Sequence, residues 1–224
     1  MKRRFLWVAA WVVAGGCDGD GGTCRSIDDP PPYGGLVITE IMAAPSGGGV
    51  GAEWVELRNV LPWAVDPDGL RLVSGDAEVA LDCDGPVNPG GVFVAAGSAN
   101  PVMNGGIQDV MCVWSGPLLP DEVQDLPANP TVAVRTNRLR IQSPDGALID
   151  DVPFLVSGVG FPEVGPGVSI ELCAEQISAA ANDHGRAWHL ATVAPPARFT
   201  GGDLGTPGMI GFSCGLAQAE EGGD

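Results

Sequence analysis

Lysine is absent from this 224-residue chain after Lys2. A P-loop needs a lysine to reach the phosphates, so none can form in the body of the chain. Nucleic-acid binding depends on Lys and Arg neutralising phosphates, and here 28 acidic residues face 11 basic ones, a net charge of −17. Histidine occurs only at His184 and His189, without an H-E-x-x-H pattern, and no two cysteines stand as C-x-x-C. Those gaps remove the signatures of a zinc protease helix, a zinc ribbon and a thioredoxin-like redox pair. No apolar run reaches the roughly 20 residues a bilayer-spanning helix needs. No helical period survives the interruptions either. The 34 Gly and 20 Pro fall between short apolar runs, a distribution that predicts many turns joining many strands.

The first residues read as an address. Lys2, Arg3 and Arg4 precede a ten-residue apolar run at 5–14, and Ala14, Gly15 and Gly16 then lead into Cys17. Basic, apolar and small residues in that order make a signal peptide. Ending on cysteine, the order resembles the lipobox of bacterial lipoproteins, which implies that Cys17 carries lipid and begins the mature chain. Each buried CH₂ of an acyl chain contributes about 0.8 kcal/mol, so several chains make a durable tether. Without residues 1–16, eight basic residues remain against 28 acidic ones, a net charge of −20. Residues 17–35, rich in Gly and Asp and ending in three consecutive prolines, read as a semi-rigid spacer. Asp18 and Asp20 lack the later ligands of an EF-hand loop.

Residues 36–212 form the expected domain. Its strand-like runs are 36–42, 53–59, 70–74, 78–83, 91–97, 109–114, 131–135, 138–143, 147–152 and 168–173. Leu139 and Ile141 alternate with Arg138, Arg140 and Gln142, the period-2 pattern of a half-buried strand. Ser143-Pro144-Asp145-Gly146 supplies the turn to the next run, making a hairpin. About ten such strands indicate an all-β sandwich or barrel. In 53–59, Val55 and Leu57 share one face, while Trp54, Glu56 and Arg58 share the other. Trp54 then covers the outer face or lies under a neighbouring loop. Trp63, Trp114 and Trp188 are expected in the core. The acidic, Gly-containing end, 213–224, has no apolar period and is expected to be disordered.

Six cysteines, Cys17, Cys24, Cys83, Cys112, Cys173 and Cys214, in an exported chain point to structural disulfides. With Cys17 lipidated, the expected pairs are Cys83–Cys112 and Cys173–Cys214, leaving Cys24 free in the spacer. Each loop contributes roughly 3–4 kcal/mol in the chain-entropy account. A Cys17–Cys24 pair in an unlipidated chain is the competing arithmetic.

Catalytic signals are weak. Gly167-Val168-Ser169-Ile170-Glu171 lacks the closing glycine of a nucleophile elbow, and Ser169 lies in a strand-like run. Glu53 and Glu56 are a carboxylate pair of the kind glycosidases use, but an acidic chain always offers such pairs. Asp82, Asp84, Asp121, Glu122, Asp150 and Asp151 are candidate calcium ligands on loops, with solvated acid the favoured reading of each. No cofactor and no resident metal are expected.

An ordered series of motifs runs through the domain. It begins with Val37-Ile38-Thr39-Glu40-Ile41-Met42 and Glu53-Trp54-Val55-Glu56-Leu57-Arg58-Asn59. Next come Asp68-Gly69-Leu70-Arg71-Leu72, Asn88-Pro89-Gly90-Gly91 and Pro144-Asp145-Gly146-Ala147-Leu148. It closes with Gly167-Val168-Ser169-Ile170-Glu171-Leu172, Trp188 and Gly205-Thr206-Pro207-Gly208. The series resembles the lamin-tail domain in its bacterial exported form, with Thr39 in place of the usual Asn and Trp188-His189 in place of the Trp-Cys of some relatives. The resemblance spans about 36–212 and implies an immunoglobulin-like β-sandwich. It implies no shared catalytic site, so Glu40, Glu53, Trp54, Glu56, Asn59, Gly69, Gly90, Gly146, Trp188, Pro207 and Gly208 are expected to be structural. The function expected is a non-catalytic binding or structural module at the cell envelope. Its partner would be an envelope protein or a polysaccharide, and its membrane attachment the lipid on Cys17. The alternative is a calcium-supported hydrolase or enzyme accessory using loop carboxylates with His184 or His189.

Overall fold

Among the described residues the short apolar runs become eleven strands, with one four-residue α-helix and two 3-10 turns, Ala174–Gln176 and Gly185–Ala187, between the last of them. They are β1 (Leu36–Met42), β2 (Trp54–Asn59), β3 (Arg71–Ser74), β4 (Ala77–Ala80), β5 (Asp82–Cys83), β6 (Val92–Ala96), β7 (Val110–Val113), β8 (Leu139–Gln142), β9 (Leu148–Val152), β10 (Ile170–Leu172), α1 (Ala179–Asn182) and β11 (Trp188–Leu190). The computed structural model describes residues 29–47, 51–119, 138–154, 160–192 and 202–214. The leader, Cys17, Cys24, the calcium candidates Asp121 and Glu122, the run 131–135 and residues 215–224 lie outside the described residues.

The fold is all-β. Seven strands pair in the order β11-β10-β1-β2-β6-β7-β5, and four in the order β4-β3-β8-β9. Among the described strands β6 and β7 run parallel and the other pairs antiparallel, and a further parallel bridge joins Val168 to Leu204. Both sheets feed one core: Ile38, Ile41, Val55, Leu57 and Phe93 meet Leu72, Val79, Leu139, Ile141 and Ile149 there. Trp114 and Trp188 are buried in it and Trp63 packs against its edge.

The predicted hairpin is β8–β9. Its turn closes through Gly146 N–H to Ser143 O (2.9 Å), and Gly146 sits at φ 89°, a conformation that favours glycine. The run 78–83 divides between the sheets: β4 pairs with β3 and β5 with β7. The crossing is anchored at Leu81, buried and hydrogen-bonded to Leu70 O at 2.8 Å. β11 carries no alternation of its own over three residues and follows from its pairing with β10. The spacer is shorter than its composition suggests. Pro31 and Gly35 are buried, Gly34 N–H bonds Ile149 O, and Val60 N–H bonds Gly35 O, because these backbone groups complete ladders at the sheet margins. Among the described residues, no helix is long and apolar enough to cross a membrane.

Beyond the end of β10, the edge of β1 is closed by side chains. Asp150 on β9 accepts Ile38 N–H at 2.8 Å, and Asn182 Nδ2, on α1, donates to Asp150 (2.7 Å) and Ile38 O (3.3 Å). Covering an edge in this way blocks further strand pairing there.

Candidate functional site

Successive strand residues point to opposite faces, so β1, β2 and β10 each carry an inner and an outer row. Ile41, Val55, Leu57, Ile170 and Leu172 fill the inner row and the core. The outer row is divided. One half is apolar, with Met42, Trp54, Val94, Ala96 and Ile107 in a second cluster, so Trp54 lies under the loop carrying Ile107. The other half is acidic. Glu40 stands opposite both Glu171 on β10 and Glu56 on β2, which sets three carboxyl groups side by side across adjacent strands. All three are buried.

Residues 202–214 lie over this row as a strap. Thr206 N–H donates to Glu40 Oε1 (2.9 Å), and Thr206 Oγ1 bonds Glu171 Oε1 (3.0 Å) and Glu40 Oε2 (3.3 Å). Gly208 N–H donates to Glu56 Oε2 at 2.8 Å. From the sheet side, Thr39 Oγ1 donates to Glu56 Oε1 (2.7 Å) and Ser169 Oγ to Glu40 Oε1 (2.5 Å). Asp203 accepts from the Ser46 backbone and hydroxyl, and the strap ends in the Cys173–Cys214 disulfide. Gly205 is required at the closest approach. A Cβ there would come within 2.8 Å of Glu40 Oε1 and 3.0 Å of the Trp54 ring.

Burial of like charges sets the protonation of this row. Desolvation, followed by the neighbouring Glu56 and Glu171, holds Glu40 well above the usual carboxylate range. Desolvation lifts Glu56 to about 8 against the opposing hydrogen bonds from Thr39, Gly208 and Met209. Near neutral pH Glu56 therefore holds its proton, and the upward shift of Glu40 acts in the same direction, against adjacent buried anions across the strands. Asp150 is raised to about 6, again chiefly by burial.

The expected disulfides form. Cys83 and Cys112 are cross-strand partners on β5 and β7 with Cα atoms 4.1 Å apart, and Cys173–Cys214 has Cα atoms 5.3 Å apart. Ser213 and Cys214, assigned to the tail by composition, are thereby tied to the domain. Asn59 holds a corner, its Nδ2 donating to Trp63, Val87 and Asn88 carbonyls and its Oδ1 accepting Leu61 N–H. Gly90 N–H bonds Asn59 O, Gly69 N–H bonds Leu81 O, and Trp188 Nε1 donates to Asn182 O at 2.8 Å. Pro207 precedes the turn at Gly208 (φ 82°). Glu53, also buried, accepts Leu119 N–H at 3.2 Å.

The chemistry weighed from sequence is distributed differently. Glu53 and Glu56 are both buried and do not form an accessible pair. Asp151 forms a surface ion pair with Arg138 (2.7 Å), Asp150 is internal, and among the described residues Asp82, Asp84, Asp150 and Asp151 do not join in a group of three or more close carboxylates. His184 is exposed at a turn, whereas His189 faces Glu171 at 3.7 Å. Glu171, Thr206 and Asp203 were not foreseen as site residues. The available signal was an acid between two aliphatic residues, Ile170-Glu171-Leu172, repeating Val55-Glu56-Leu57. A shallow pocket of about 350 Å³ lies beside His189, lined also by Thr192, Phe212, Ser213 and Cys214.

Fold and cysteines describe an all-β, disulfide-bonded chain suited to an oxidising, extracytoplasmic compartment. No family model, curated protein or solved structure matches it.

Proposed function

We propose that this chain is a lipid-anchored envelope protein whose lamin-tail-like domain, an immunoglobulin-like β-sandwich, is a non-catalytic binding or structural module. The observation that carries the reading is that residues of the motif series far apart in sequence bond one another. Glu40 and Glu56 hold the backbone of Thr206 and Gly208, at separations of 166 and 152 residues. Carboxyls spent on holding a strap are not free for acid–base work on a substrate. Binding then falls to the loops. Val102 (91% exposed) and Met103 project between β6 and β7, and Met209, Ile210 and Phe212 project from the strap. An envelope protein or polysaccharide is the proposed partner.

Cross-linking pull-down from intact source cells, with and without a calcium chelator, tests this. The expected result is one enriched envelope component, insensitive to chelation and lost in a Val102→Asp/Met103→Asp or Met209→Asp/Phe212→Asp variant. Enrichment that requires calcium would instead support an enzyme accessory with metal-dependent loops. No enrichment under either condition sinks the partner proposal. Cys17→Ser should move the protein from the membrane to the soluble fraction. Retention in the membrane would overturn the lipid anchor.

A further inference from the structure

The strap and the sheet edge converge on a second set of side chains beside the carboxyl row. Glu171 lies on β10, Cys173 follows directly after it, and His189 is the cross-strand partner of Glu171. Cys214 reaches them from the strap through its bond to Cys173. Donor atoms of Cys173, His189 and Cys214 lie within 4.8 Å of one another. Glu171 Oε2 is 3.7 Å from His189 Nε2, and among the described residues neither atom has a hydrogen-bond partner although both are buried.

That pairing is informative. Glu171 Oε1 is taken by Thr206, so Oε2 is a buried acceptor aimed at the histidine. His189 Nδ1 lies 3.0 Å from Leu190 O, and a carbonyl only accepts, so the ring proton belongs on Nδ1. Nε2 then presents a lone pair to a carboxylate oxygen. A cation between the two atoms, a proton or a metal ion, satisfies both, and this tautomer, fixed by a carbonyl, is the one metal-binding histidines use. In tetrahedral zinc sites, with bonds of about 2.0–2.3 Å, neighbouring donors sit roughly 3.3–3.8 Å apart. The Glu171–His189 separation falls in that span.

We infer that the Cys173–Cys214 disulfide caps a latent site for zinc, or a similar divalent cation of intermediate softness. Its ligands are Cys173, Cys214 and His189, whose donor atoms lie within 4.8 Å of one another, and Glu171, which lies 3.7 Å from His189 but outside that set and completes the site once reduction frees the sulfurs to turn. While the disulfide is intact the sulfurs are spent and the site is closed. A dithiol reductant transfers two electrons and two protons, breaking the S–S bond to give two thiols, and is itself oxidised to a disulfide. The divalent cation then displaces one proton from each thiol and binds two thiolates, the imidazole and the carboxylate. Soft sulfur ligands select zinc-class ions over calcium or magnesium. The pocket at His189 and Cys214 gives solvent, reductant and ion a path in.

The test uses the purified full chain in detergent, reduced anaerobically with a phosphine and titrated with Co²⁺, then with Zn²⁺. The expected result is one equivalent of Co²⁺ per chain with a thiolate charge-transfer band and tetrahedral visible bands, displaced by Zn²⁺. The oxidised protein should give neither. A Cys83→Ala/Cys112→Ala variant should keep the full signal, which separates the site from the other cysteine pair. His189→Ala should weaken binding at least tenfold, and Glu171→Gln should alter the visible bands. The inference is overturned if the reduced chain shows no charge-transfer band, if the signal follows Cys83 and Cys112, or if His189→Ala binds as wild type does. The last outcome would identify thiolates of an unfolded chain.

Discussion

The two faces of strands β1, β2 and β10 are held by different physics. On the inner face, Ile38, Ile41, Val55, Leu57, Ile170 and Leu172 are removed from water against the second sheet. That stabilisation scales with area and does not depend on pH. On the outer face, three carboxyl groups, three hydroxyls and the backbone of the strap bind one another, and the bonds made by Glu40 and Glu56 depend on their protonation. One sheet can therefore be firm on one side and conditional on the other. The strap lies on the conditional side, together with the disulfide that closes it.

Truncating the inner face should give the largest effect. Leu57→Ala leaves a cavity in a fully buried position and should cost about 2–5 kcal/mol in urea unfolding, by the same amount at mildly acidic and mildly alkaline pH. On the outer face, Glu40→Ala strips the acceptor from Ser169 and Thr206 and should cost about 1–3 kcal/mol. Its cost should shrink as pH rises, because an emerging repulsion with Glu56 is removed along with the bonds. Gly205→Ala should cost about 1–2 kcal/mol by lifting the strap from Glu40 and Trp54, and limited proteolysis should then cut within 202–214 sooner than elsewhere. Outside the comparison altogether, Arg138→Ala breaks a surface ion pair with Asp151 and should change stability by less than about 1 kcal/mol.

The same division explains what could be read from the amino acids. Strands with one wet face announce themselves, as Arg138, Arg140 and Gln142 do beside Leu139 and Ile141. The turn at Gly146 followed from residue type, whereas the two disulfide pairs were one choice among the pairings that the cysteine count leaves open. Glu56 and Trp54 did not declare their setting, because both faces of β2 are covered and alternation no longer reports water. In a chain with 28 acidic residues, a buried carboxyl looks like any solvated one until a strap from far along the sequence is seen to cover it. Glu171 was hidden for that reason, and His189 because its strand exists only as a partner to β10. The pocket beside Cys214 depends on the strap's path, which no local pattern encodes.

Thermal unfolding as a function of pH, in wild type and Glu56→Gln, tests the account most directly. Glu56 rises from an unfolded value near 4.5 to about 8, Glu40 rises well above 4.5, and Asp150 rises from 3.8 to about 6. Between those unfolded and folded values the native state binds more protons than the unfolded chain, so unfolding releases protons and stability falls as pH rises. The melting temperature should therefore decline steadily from about pH 5 to about pH 9. Glu56→Gln keeps a neutral side chain of the same shape, so its curve should be flatter above about pH 6. A wild-type melting temperature that is level or rising across that range, or a Glu56→Gln curve with the wild-type slope, would contradict a protonated Glu56 holding the strap.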